Sequence, residues 1–257
     1  MHALSSGMRL LGLLALVQAL ALAVVVRADA SSAEGTGSGG VASSLVLFAL
    51  IIAATALMLM LIRWGLSAYL YRFSRYGGIF AVTWFLMALV SRNGSAALAV
   101  AAAATVSTAI CTSPAARVAT SILISTGVAV MMGLFFGPAA LIGLMALLSA
   151  YDYIAVRKTG HMVQLAEDVM EKDGPQMIEL GPPGERMVVG LADLIFPSAL
   201  VVSAYVFSSP LTALFCAAFS HIGFAAMLHG MGKDGVPALP YGSLGIVGYL
   251  MGIAVGA

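Results

Sequence analysis

Apolar residues in this chain run in blocks of roughly twenty, broken by short polar stretches and without the period-two alternation of a barrel strand. About twenty apolar residues are what an α-helix needs to cross the hydrocarbon core of a bilayer. The pattern predicts nine such spans, over residues 8–26, 43–62, 77–91, 95–111, 118–135, 137–156, 187–207, 210–229 and 237–256. The breaks carry recognisable chemistry. Ser91-Arg92-Asn93-Gly94 divides an overlong run, and Gly137-Pro138 and Ser208-Ser209-Pro210 put helix-ending proline at tight junctions. A flexible loop is expected over 31–42, and a larger polar loop over 157–186. Within that loop 161–172 has helical character, and Gly174-Pro175 and the 181–184 Gly-Pro-Pro-Gly run break it.

Composition makes the same case. Hydrophobic residues are 61% of the 257 and charged residues 9%, against about 25% charged in a soluble domain. The mean hydropathy is +1.04. An all-α, polytopic membrane protein with nine transmembrane helices, forming one integral-membrane domain over 1–257, is the expected architecture. A net charge of +1 gives no basic field for nucleic acid.

Basic residues orient the chain. With its start on the cytoplasmic side, ten of the twelve Lys and Arg fall in inner segments, and two, Arg27 and Arg92, fall outside. The C-terminus is then extracellular, the 157–186 loop is cytoplasmic, and the protein resides in the cell membrane. Residues 1–30, with Arg9 and Ala28-Asp29-Ala30, resemble a signal peptide, but the apolar stretch is long for one and a retained first span is expected.

Nine of the eleven acidic residues lie in loops; Asp152 and Asp193 lie inside apolar runs. A charged Asp at a helix centre costs about 2.5–3.5 kcal/mol even on the insertion scale, so an intramembrane acid marks a functional site unless it reaches the interface. Span six ends and span seven begins on the inner side, so both carboxyls are expected about 6–10 Å below the inner surface, on consecutive antiparallel helices. Two facing carboxyls in a low-dielectric site share one proton. One can take a proton from a water while the other donates to a carbonyl, or the pair can relay protons through a transporter. Depth alone leaves both readings open.

The local motifs narrow the choice. Asp152 lies in Tyr151-Asp152-Tyr153, Asp193 follows Gly190-Leu191-Ala192, and the ninth span opens Pro237-Ala238-Leu239-Pro240. In order and placement this resembles the presenilin and signal peptide peptidase family of intramembrane aspartyl proteases, which carries Tyr-Asp, Gly-x-Gly-Asp and Pro-Ala-Leu on spans six, seven and nine. The inside-start topology and compact loops resemble a microbial, archaeal-type presenilin homologue. The resemblance implies an aspartic endopeptidase with Asp152 and Asp193 as its dyad, transmembrane-helix substrates in the bilayer, and no obligatory accessory subunits. It departs at Ala192, where the family has glycine. That change encourages a further reading, a silent binder of helices.

Cutting a transmembrane helix requires unwinding it and giving its freed backbone groups partners. A strand over 177–187 would supply them by β-pairing. Pro237 and Pro240 resist helix and are expected to leave the carbonyls of 237–239 able to accept bonds, although proline at a helix start is common. Tyr151 is placed to hydrogen-bond near the dyad, Tyr153 to anchor at the interface, and Gly190 to pack spans six and seven closely. His221 and His229, eight residues apart, lack the spacing of a close metal pair and read as core or interface histidines. Cys111 and Cys216 read as small hydrophobes, and the fifteen methionines as gap-fillers. No metal or cofactor motif is present, and none is expected.

Overall fold

A computed structural model describes residues 2–29, 41–91, 93–111, 113–156, 168, 169, 171, 177–180, 187–230 and 236–256. The helices are α1 (His2–Arg27), α2 (Val41–Arg63), α3 (Ser67–Ser91), α4 (Gly94–Ile110), α5 (Pro114–Phe135) and α6 (Pro138–Ile154). Strands β1 (Met177–Leu180) and β2 (Met187–Gly190) follow, then α7 (Leu191–Phe207), α8 (Pro210–Gly230), α9 (Leu239–Gly242) and α10 (Leu244–Gly256).

Among the described residues, nine apolar helical segments succeed one another, with α9 and α10 forming the last. Six are long and apolar enough to cross a membrane. The other three, α4, α6 and α7, have 17 residues each, about 26 Å at 1.5 Å per residue. Side-chain caps mark the breaks read from the sequence. Asn93 Oδ1 accepts from the N–H groups of Ser95 and Ala96 at 3.2 and 3.3 Å, and Ser113 Oγ accepts from that of Ala116 at 3.2 Å. Pro114 and Pro138 occupy first turns, where a missing N–H costs nothing.

Two span boundaries are corrected. The third helix begins at Ser67, not at residue 77. Its first turns hold Arg72 and Arg75, which depress a hydropathy average, yet long basic side chains at a helix end keep their heads in water, and Tyr71 there is buried. The seventh helix begins at Leu191, because 187–190 are strand. The expected helical stretch over 161–172 lies almost wholly outside the described residues, as do 31–40 and most of the 157–186 loop.

The bundle is organised around α7, where Leu194 and every residue from Phe196 to Ala204 is buried. It packs against α5, α8, α1 and α6. One apolar cluster joins Leu141, Leu144, Met145 and Leu148 of α6 to Phe196, Ala199 and Leu200 of α7 and to Leu239. Another seats Ile178, Leu180 and Val189 of the hairpin on Leu10 and Leu14 of α1 and on Leu194. In lipid the hydrophobic effect does not bring helices together, so close packing must. A stripe of Gly245, Gly248 and Gly252 on α10 accordingly lies against α8, where a Cβ on any of the three would collide with its backbone or side chains.

Candidate active site

Asp152 sits in the last turn of α6, two residues before its end, and is 7% exposed. The acid is partnered by backbone. The N–H of Leu239 donates to Asp152 Oδ2 at 3.3 Å, and that of Ala238 is also directed at the carboxylate. The helix that starts at Leu239 leaves its first N–H groups without intrahelical acceptors, so the Leu239 donor is available to Asp152.

Asp193 occupies the mirror position, two residues after the start of α7. Strand β2 runs into this helix without a loop, ending at Gly190. Asp193 Oδ2 reaches back to accept from the Gly190 N–H at 3.2 Å, the acidic half of a capping box. The carboxylate is partly buried. Asp152 and Asp193 are close enough for direct Coulombic interaction. Pro197, inside α7, has no N–H to give the carbonyl of Asp193, four residues earlier.

Strand was expected over 177–187, and a two-stranded antiparallel hairpin is found, pairing Met177 with Gly190 and Leu180 with Met187. Its second strand ends three residues from Asp193. Leu191 is buried under the hairpin and Ala192 is exposed, so the methyl that replaces the family's glycine hydrogen meets no crowding within the chain.

Three expectations for single residues are corrected. Gly190 does not bring α6 and α7 together. Its missing Cβ makes room for Asp193 itself, since a methyl there would lie 3.2 Å from Oδ2. Tyr151 makes its hydrogen bond to Thr55 of α2 and lies edge-on to Phe48 with ring centroids 6.4 Å apart, while staying within the field of Asp152. The carbonyls of Ala238 and Leu239 are not left open. The first accepts from the N–H groups of Tyr241 and Gly242 at 3.1 Å each, and the second from that of Ser243 at 2.9 Å. Pro240 falls in the first turn of α9, where proline favours helix, so the segment offers donors to Asp152 while its carbonyls close the turn.

Pro237 is buried, Ala238 partly so, and Tyr153 is exposed at 54% as an interface residue would be. His221 and His229 each bond their own helix through Nδ1, to the carbonyls of Ala217 and Ala225. Among the described residues no group of three metal-ligating side chains occurs. Ser149 and Ser243 carry no signal in the sequence, yet their hydroxyls meet beside the site. Tyr71, equally silent in the sequence, donates to Asp168 at 2.8 Å and ties part of the 157–186 loop to α3.

Gly190→Ala is expected to push the Asp193 carboxylate back by a few tenths of an ångström. If Asp193 is a reacting group, turnover should fall roughly three- to tenfold, because catalytic geometry is sensitive on that scale. Turnover of a single-span substrate at saturation measures it.

With two acids at adjoining ends of α6 and α7, and the ninth span's backbone closing over one of them, comparison with known proteins becomes decisive. Residues 11–183 match the family described as signal-peptide peptidase, presenilin aspartyl protease. The chain belongs to that family. The matched region includes Asp152 and ends before Asp193. Two solved structures of a presenilin family intramembrane aspartate protease, in C222 and P2 crystal forms, resemble nearly the whole fold. The first is 26% identical, covering 96% of this chain and 97% of its own, with a TM-score of 0.69. The second is 28% identical, covering 95% and 96%, with a TM-score of 0.68. No curated protein matches the sequence. Family and fold together make this multi-pass membrane protein an intramembrane aspartyl protease.

Proposed function

We propose that Asp152 and Asp193 are the catalytic dyad and that the chain, as one domain over 1–257, hydrolyses peptide bonds within transmembrane helices of protein substrates. The observation that carries this is the pairing of the acids. They stand at adjoining ends of two consecutive helices, each held by backbone N–H, with Asp193 in the field of Asp152. The pair shares a proton. The ionised member takes a proton from a water that attacks the scissile carbonyl. The protonated member donates to the carbonyl oxygen, and the amine leaves with a proton as the tetrahedral intermediate collapses. Two carboxyls and one water balance the reaction.

The substrate must lose helix where it is cut. An extended stretch adding as a strand to the β1–β2 hairpin recovers backbone hydrogen bonds three residues from Asp193. The decisive experiment is cleavage of a model single-span substrate by the purified protein in detergent, without added subunits. Intact substrate from correctly folded protein, together with proton-driven uptake of a solute in vesicles, would overturn the protease reading in favour of a transporter.

The dyad end of the bundle is cytoplasmic in this reading, with the N-terminus inside, the C-terminus outside, and the cell membrane as the site. Cys111 supplies a test. It is exposed at the α4–α5 junction, on the same inner side, and Ser113 beside it holds its thiol below the usual range, which favours the reactive thiolate. A membrane-impermeant thiol reagent should leave Cys111 unlabelled in intact cells and label it in inverted vesicles, while buried Cys216 stays unlabelled in both.

A further inference from the structure

The Leu239 N–H that meets Asp152 belongs to the four-residue helix α9, which has proline in its first turn. The Leu239 and Ala238 N–H groups tie this segment to α6 at Asp152. A further attachment to α6 exists. Ser149 lies three residues before Asp152 and therefore on the same face of α6. Ser243 lies four residues after Leu239. The two hydroxyls are in hydrogen-bond contact, and Ser243 Oγ also donates to the carbonyl of Leu239 at 2.9 Å. With the Ser243 proton committed there, Ser149 is the donor across the helix gap. Each partner thus presents two groups at matched spacing: α6 offers a carboxylate and a hydroxyl donor, and the ninth span offers an N–H donor and a hydroxyl acceptor.

We propose that Ser149 and Ser243 form a latch that fixes the Leu239 N–H on Asp152, making both serines positioning residues for the dyad. The proposal rests on the dyad reading above. Both serines are half-buried, bonded to each other, with Ser243 also on the Leu239 carbonyl. They act by holding the donor that orients the Asp152 carboxylate, so their loss costs turnover and leaves substrate docking alone. Either hydroxyl alone is useless without the other, so the pair works as a unit.

The test is steady-state cleavage of a single-span substrate by Ser149→Ala, Ser243→Ala, the double variant and Ser243→Thr. Asp152→Ala and Thr105→Ala serve as controls. Thr105 bonds a carbonyl of its own helix α4, far in the sequence from the site. Each serine-to-alanine change is expected to lower kcat about tenfold, the worth of one well-placed hydrogen bond, with KM unchanged. The double variant should be no slower than either single one, and Ser243→Thr, which keeps the hydroxyl, should restore most of the rate. Thr105→Ala should match wild type. Wild-type kcat in both single variants, with Asp152→Ala silent, overturns the latch alone. So does an additive loss in the double variant accompanied by a parallel rise in KM, which marks general loosening. Cleavage by Asp152→Ala overturns the dyad, and the latch with it.

Discussion

Asp152→Asn and Asp193→Asn are each expected to lower cleavage of a single-span substrate by at least ~10³-fold, with the protein still folded. General acid and general base catalysis contribute about 10²–10⁴-fold apiece, and in the proposed dyad the two roles are divided between two groups that share one proton. Neither can be lost without losing both steps, so the double variant should be no worse than either single one. Asparagine is the informative replacement. It keeps the shape and an oxygen that can still accept from Leu239 or from Gly190, so the backbone contacts that position the side chain survive while the titrating group is gone. It also removes an acid from a partly buried site, where a charge is costly. Folding should be unchanged or improved, so an inactive variant with an unchanged melting temperature reports chemistry and not collapse. Cleavage products resolved by mass, for wild type and both variants side by side, are the measurement. Residual activity above one per cent in either variant would remove that residue from the dyad.

What the sequence discloses about this molecule is decided by how far each feature departs from its background. Asp152 and Asp193 stand out because charge is expensive in lipid, and a proline pair at 237 and 240 stands out in a chain of helix formers. Their order along the spans was enough to suggest the family. The nine segments were visible because each is a twenty-residue average. The same averaging hid the rest. Strand β2 is four residues long and lies within an apolar run that any window reads as the start of span seven. The early start of α3 was masked by arginines that a helix end tolerates well. Contacts were further from reach. Tyr151 beside Asp152 in sequence faces α2, whereas Ser149, which carries no signal in a chain rich in serine, meets Ser243 across the site. Gly190 was legible as important and misread as to why, since nothing in a sequence tells an inter-helix contact from room made for a side chain three residues on.

Gly223 is a position where a single methyl is expected to disable the site from behind. It lies on α8, buried, and a Cβ there would run into the carbonyl of Tyr241, and crowd the Leu244 side chain at 3.2 Å. Tyr241 is in α9, two residues after Leu239, and its carbonyl is backbone that cannot rotate away. The short helix would have to lift off α8 by more than an ångström to reach an ordinary contact. Gly242, next along the turn, is pressed against Pro197 of α7, where a Cβ would come within 3.0 Å, so the displacement has little free space to use. The Leu239 N–H rides on the same turn and leaves Asp152 with it. A misplacement of about 1 Å at a catalytic group costs on the order of 10²-fold, and overpacking of this kind destabilises by about 1–3 kcal/mol. Gly223→Ala is therefore expected to lose about 10²-fold in kcat and a few degrees in melting temperature. Gly12→Ala on α1, where a Cβ meets nothing within 4 Å, should change neither. Thermal unfolding and turnover measured together separate the two effects. A Gly223→Ala protein with wild-type turnover would mean that α9 does not hold the donor on Asp152 during the reaction.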